Sequence, residues 1–252
     1  MRTNAPDQPG DLPPRPLSAR SVVLSLLLGT HPPELSARDL GRLVEGFGVG
    51  GSTLRAALSR MVAAGDLRRT DTGYRLSDRL LGRQRRQDDA LRPHTRVWHG
   101  DWEMVVITAT GRGPAERADL RTRLTALRLA ELREGVWLRP DNLERSLPGE
   151  LDRVAERCTA RPDRPAADLA ATLWPLDAWA RTARSLLAHT GRAEHPADRL
   201  AAFAAAVRHL LTDPVLPPPL LPADWPGEAL RAAYTAYQRE LTHEVRTRVG
   251  GA

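Results

Sequence analysis

Between residues 22 and 62 apolar side chains recur every three or four positions, in three short bursts that glycine ends and a hydroxyl residue restarts. That is the period of amphipathic helices. Ser18 is placed to cap the first, which carries Val22, Val23, Leu26 and Leu27 on one stripe and stops at Gly29. Ser36 is placed to cap a second, with Leu40, Leu43, Val44 and Phe47 inward and a break at Gly46 and Gly48. Ser52 is placed to cap a third, turning Leu54, Leu58, Met61 and Val62 inward before Gly65. The pattern then switches. Asp66–Thr70, a turn at Asp71–Gly73 and Tyr74–Leu76 predict a small hairpin. Three helices with a glycine turn before the third, followed by a hairpin, give the order of a winged helix-turn-helix.

Beyond Ser77 the chain is polar and helical to about Arg92, and Pro93 punctuates it. Trp102–Thr110 has the β-branched character of a strand, Glu116–Leu129 repeats leucine at helical spacing, and Val136–Leu138 predicts a second strand. Strand, helix, strand is half of a ferredoxin-like unit, and Leu151–Ala160 is the segment available to complete it. From Asp168 onward the stripes are helical again, over Leu176–His189, Pro196–Leu211 and Glu228–Val249, with the Pro-rich stretch Asp213–Pro226 before the last. The predicted fold is therefore α+β. It comprises a disordered tail over residues 1–16, a winged-helix domain over 17–82, a connector over 83–97, a ferredoxin-like domain over 98–165 and a helical C-terminal domain over 166–252.

Composition narrows the function classes. The chain has 252 residues, of which 41% are hydrophobic and 27% charged, as in an ordinary globular protein. A single cysteine, Cys158, excludes an internal disulfide and fits a reducing cytoplasm. No apolar run reaches the roughly 20 residues of a membrane span, and the proline-rich N-terminus lacks the order of a signal peptide. Every basic residue among the 37 Lys and Arg is arginine. Residues 1–92 hold 15 Arg against 10 Asp and Glu, whereas residues 93–252 hold 22 against 21. The excess of positive charge thus lies on the segment that reads as a winged helix, where phosphate contacts would use it.

The candidate recognition helix exposes Ser52, Thr53, Arg55, Ala56, Ser59 and Arg60, short donors and forked guanidinium groups suited to phosphates and base edges in a major groove. Arg68, Arg69 and Arg75 on the hairpin extend that surface. Gly46, Gly48 and Gly51 match G-x-G-x-x-G, but a helical stripe precedes them instead of a strand, so they predict the turn of the helix-turn-helix. Catalytic chemistry finds little support. His243 lacks a second histidine four residues on, Cys158 has no base beside it, and a P-loop is impossible without lysine. No metal, cofactor or catalytic residue is expected.

Four segments carry a family resemblance. Asp213-Pro214-Val215-Leu216-Pro217 leads through Leu220-Leu221-Pro222 to Asp224-Trp225-Pro226-Gly227; Gly100-Asp101-Trp102 opens one strand and Gly135-Val136-Trp137-Leu138-Arg139-Pro140 closes the next; Leu54–Met61 forms the candidate recognition helix. Together, over about Leu17 to Leu241, these resemble the PaaX-type transcriptional repressors of phenylacetic acid degradation. The resemblance implies a homodimeric, cytoplasmic, non-enzymatic regulator that binds a double-stranded DNA operator with an inverted repeat and is released by an acyl- or aryl-coenzyme A thioester. For such an effector, Trp137 and Trp174 are the candidate aromatic walls and Arg117 and Arg121 the candidate phosphate contacts. It also implies a central domain akin to CRISPR adaptation nucleases, so the competing expectation is a metal-dependent nucleic-acid enzyme. Such an enzyme would want an Asp at the end of its first strand, and Val105–Thr110 offers none.

Overall fold

The computed structural model describes residues 17–250, so the tail predicted over residues 1–16 lies outside the described residues. The chain divides into two compact units, each assembled from separated segments. One comprises residues up to 85 with 186–207 and 233 onward; the other comprises 86–185 with 208–232.

In the first unit, α1 (Ala19–Gly29), α2 (Ala37–Glu45) and α3 (Gly51–Ala63) pack through Val23, Leu27, Leu40, Val44, Leu58 and Met61, all essentially buried. Ser18 and Ser36 cap α1 and α2 as their sequence positions predict, through Ser21 N–H to Ser18 Oγ at 3.2 Å and Asp39 N–H to Ser36 Oγ at 3.0 Å. Three expectations need correction. The N-cap of α3 is Gly50, so Ser52 stands one residue inside the helix; Val62 is exposed because Leu54, Ala57, Leu58 and Met61 already fill the inner stripe; and α2 ends at Glu45, leaving Phe47 half-buried in the turn. The sheet holds β2 (Leu67–Arg69) and β3 (Tyr74–Leu76) as foreseen, plus β1 (Glu34–Leu35), in the antiparallel order β1-β3-β2. Two residues are too few to show a strand period, which is why β1 escaped notice. The helix α4 (Asp78–Leu91) follows, and its Gln84 side chain, donating to Leu28 O and Thr30 O, ties it to the end of α1.

In the second unit, β4 (Trp102–Ile107), α5 (Pro114–Ala126), β5 (Ala130–Arg133), β6 (Val136–Pro140), a 3-10 turn at Gly149–Arg153 and β7 (Ala155–Ala160) build an antiparallel sheet ordered β5-β6-β4-β7. That is the ferredoxin-like order, with the second helix reduced to the 3-10 turn. The strand expected to run to Thr110 stops at Ile107, and the helix expected over Glu116–Leu129 spans Pro114–Ala126, because Arg128 adopts φ 62° and breaks it. The alternation of β4 separates two cores. Val105 joins Trp137, Leu120, Leu124 and Leu151 on the α5 face, while Trp102 joins Leu138, Leu169, Leu176 and Leu216 on the other.

The last core is closed by α6 (Ala166–Leu173), the start of α7 (Leu176–Arg192) and the Pro-rich strap after α8 (Pro196–Leu210); α9 (Gly227–Gly250) completes the chain. In the first unit, Phe203 of α8 and Tyr237 of α9 stack with centroids 4.1 Å apart. Among the described residues no helix is long and apolar enough to cross a membrane.

Candidate nucleic-acid interface

The helical period dictates the working face of α3. Burying Leu54, Ala57, Leu58 and Met61 leaves Ser52, Thr53, Arg55, Ala56, Ser59 and Arg60 exposed on the opposite side. The turn that aims α3 depends on Gly48 at φ 74°, while Val49 is buried and its N–H returns to Val44 O at 3.1 Å. The three glycines of the G-x-G-x-x-G match therefore span a helix-to-helix turn, and α2 stands where a dinucleotide site would need a strand.

On the small sheet Arg68, Arg69 and Arg75 are all exposed. Register places Arg68 directly across from Arg75 and Arg75 across from Glu34, so two like charges sit side by side on one face. Each has a carboxylate nearby. Arg68 pairs with Asp78 at the start of α4, and the positive charge of Arg75 acts on Glu34. Arg55, Arg60 and Arg69 engage no carboxylate among the described residues, so their guanidinium groups are available to an incoming anion.

Residues that sequence reasoning passed over fix this surface in place. Glu34 Oε1 accepts from Thr70 Oγ1 at 2.6 Å and from Thr72 Oγ1 at 2.7 Å, which brace the hairpin tip and, with Arg75, hold the Glu34 carboxyl below its usual range. Gly73 approaches the chain at Leu35 so closely that a Cβ there would fall 2.1 Å from Leu35 O. Asp66, fully buried, accepts from Arg20 Nη2 at 2.7 Å and also pairs with Arg79, locking the starts of α1 and α4 to the root of the hairpin. The sequence signal for Asp66 and Glu34 is faint, since an acidic residue beside a turn is ordinarily a solvated one.

The four residues considered for an effector are not gathered together. Trp137 is buried in the core beneath α5, and Arg117 and Arg121 lie exposed on α5, where Arg121 is 2.7 Å from Glu131. Trp174 sits on the other face of the sheet, stacked on Trp102 at 6.5 Å and bordering a groove of about 580 Å³ with Asp168, Asp177, Arg181 and Pro219. Among the described residues no cluster of three His, Cys, Asp or Glu is placed to hold a metal ion, and the carboxylate of Asp101 ahead of β4 is engaged by Arg161.

The Pro-rich strap is a packing device of the second unit. Asp213 Oδ1 accepts the N–H of Val215 at 2.9 Å while Oδ2 takes Arg231 Nη2 at 2.6 Å. The fully buried Arg139 donates to Arg128 O, Pro140 O, Val215 O and Asn142 Oδ1, all neutral acceptors, and its burial lowers the guanidinium pKa to about 9. Trp225 stacks on Trp179 at 4.5 Å, and a Cβ on Gly227 would meet Trp225 Nε1 at 2.6 Å. The Asp-Pro and Asp-Trp-Pro-Gly motifs thus encode contacts of the chain with itself.

Fold and surface define an α+β protein whose winged-helix-ordered head exposes Arg55, Arg60 and Arg69, which engage no carboxylate among the described residues, and is followed by a ferredoxin-like sheet. The chain belongs to the PaaX family of transcriptional regulators: residues 18–80 match the PaaX-like protein model, 95–159 the PaaX protein central Cas2-like domain and 174–248 the PaaX-like protein C-terminal domain. Among solved structures it is similar to the uncharacterized protein Rv0674 from Mycobacterium tuberculosis, with 51% identity, a TM-score of 0.81, and coverage of 91% of this chain and 98% of that one. No curated protein matches it.

Proposed function

We propose that the protein is a DNA-binding repressor that reads an inverted-repeat operator through α3 and the β2-β3 hairpin and leaves it when a small-molecule effector binds. One observation carries the reading. Arg55 and Arg60 stand on the exposed stripe of α3 and Arg69 is exposed on the hairpin that follows it in the chain, and none of the three is neutralised by a carboxylate of the described chain. A recognition helix with its N-terminal half toward base edges and a hairpin toward the backbone uses such residues in that order. Membership in a regulator family supports the same reading. The effector class we propose is an acyl- or aryl-coenzyme A thioester; because Trp174 lies apart from Trp137 and α5, its aromatic part and its phosphates would not be held by the four candidates acting together.

Footprinting of the full-length protein on the promoters flanking its own gene tests the reading. Two protected half-sites one or more DNA turns apart, about 10 bp per turn, are expected, and addition of phenylacetyl-coenzyme A should release them by linkage. No protection on any neighbouring promoter would overturn it. Release by none of a panel of thioesters would remove the effector class and leave DNA binding standing.

A further inference from the structure

In a chain of net charge +6, one groove is apolar within and acidic at its rim. It lies in the second unit, between α6, the first turns of α7 and the Pro-rich strap, and measures about 580 Å³. Trp174 and Leu221 give it half-buried apolar surface, and the exposed rings of Pro175 and Pro219 stand beside them. Trp174 is held by its stack on the buried Trp102, so the indole is a fixed platform. On the α6 side Ala171 contributes a single methyl group, which keeps that wall low.

The rim carries Asp168, Asp177 and Arg181, all exposed, and none of them joins an ion pair among the described residues. Arg164, one turn before Asp168, spends its guanidinium on Asp168 O at 3.2 Å and Thr172 Oγ1 at 2.6 Å and leaves the carboxylate unengaged. Two carboxylates against one guanidinium make the rim negative. Its openness decides the kind of occupant. A small molecule is held by enclosing most of its surface, which a groove rimmed by exposed residues does not do. An extended proline-rich peptide needs only one aromatic-lined wall, because its other side stays in water and its backbone is ordered beforehand as polyproline II.

We propose that this groove takes the chain's own segment Leu12-Pro13-Pro14-Arg15-Pro16, an interaction separate from the operator contacts and independent of them. The segment lies outside the described residues, directly before Leu17. Five of the first sixteen residues are proline, and Pro13-Pro14-Arg15-Pro16 has the P-x-x-P spacing. With three residues per turn, Pro13 and Pro16 share one edge of a polyproline II helix and Leu12 and Arg15 share the adjacent edge. Those two edges offer proline rings and a leucine to Trp174, Pro175 and Leu221, and a guanidinium to the unengaged carboxylates of Asp168 and Asp177. Charge complementarity therefore selects this segment, since the groove is acidic and Arg15 stands among the prolines.

The test uses the full-length protein with Leu12→benzoylphenylalanine, a photo-reactive side chain. Irradiation and peptide mapping should place the new covalent bond in residues 171–178 or 219–222. Arg15→Glu should lower the yield about fivefold, the scale of an exposed ion pair, and combining it with Asp168→Arg and Asp177→Arg should restore it. Pro13→Gly with Pro16→Gly, which alters no described residue, should lower the yield as well by loosening the helix. A product of one chain's mass or of two tells which copy supplies the segment, and either mass supports the proposal. Attachment only elsewhere on the chain, no attachment, or a yield indifferent to both the Arg15 and the proline changes overturns it.

Discussion

Asp213 and Arg231 form an ion pair at 2.6 Å whose side chains are 1% and 10% exposed. The same carboxylate holds Val215 at φ 51°, a backbone region a β-branched residue rarely enters, and Arg128 donates to Asp213 O. Removing the carboxylate leaves a buried guanidinium without its counter-charge and releases the strap. Asp213→Ala is therefore expected to cost about 3–5 kcal/mol, read as a lowered denaturant midpoint. A loss below about 1 kcal/mol, the scale of an exposed pair, would show that the pair is solvated.

The end of α8, just before the strap, yields a pH dependence as well. His209 stacks on Trp179 at 4.4 Å, its Nε2 lies 3.0 Å from Trp179 O, and burial lowers its pKa below the usual imidazole value. A folded-state pKa below the unfolded one means that the unfolded chain binds the proton more tightly. The contribution is complete above about pH 6.5 and is lost as pH falls through the folded value. The thermal midpoint should therefore drop as pH falls below about 6.5, and His209→Gln should flatten that slope. An equally steep slope in the variant would assign the dependence to other groups.

How far the sequence alone could be read follows from these particulars. Periodicity located α1, α2, α3 and most of the ferredoxin-like elements because each buries one stripe or one strand face. It missed β1, too short for a period, and misjudged the end of α5, where Arg128 enters the left-handed region without a glycine to announce it. The Asp213–Gly227 motif was legible as a signature and opaque as a mechanism. Its partners, Arg128, Arg139, Trp179 and Arg231, lie up to 85 residues away along the chain, a distance over which no local pattern operates. Exposure on α3 followed from helical period alone, whereas the braces Glu34, Asp66 and Gly73 depend on tertiary neighbours.

Gly73 makes the hairpin tip intolerant of any side chain. A Cβ at 2.1 Å from Leu35 O and 2.6 Å from Ser36 Cα collides with backbone that cannot rotate away. Gly73→Ala should destabilise the first unit by more than about 1 kcal/mol, measured by hydrogen exchange in β1 and β3. Glu34→Gln acts more gently: it keeps an acceptor for Thr70 and Thr72 but removes the charge opposite Arg75. Because the Glu34 carboxyl is held below its unfolded value, its bracing is present at neutral pH and is lost as pH falls through the folded value, a loss the Gln variant should not show. Identical exchange profiles for wild type and Gln variant across that range would refute the bracing role.

The arginines of the proposed interface should divide into two kinds. Arg55 and Arg60 project from the exposed stripe of α3, and a forked guanidinium there reaches a guanine edge. Alanine at whichever reads a base should cost about 1–3 kcal/mol and relax preference at one operator position. Arg69 projects from β2, is exposed and engages no carboxylate among the described residues, so its partner in a complex would be backbone phosphate. Arg69→Ala should weaken every sequence alike and lower the slope of log affinity against log salt by about 1. Arg68 supplies the control. Its guanidinium is already paired with Asp78, so Arg68→Ala should change the slope less than Arg69→Ala does. Affinity measured over a randomised operator library at several salt concentrations separates these outcomes, and equal profiles for all four variants would remove α3 and the hairpin from the interface.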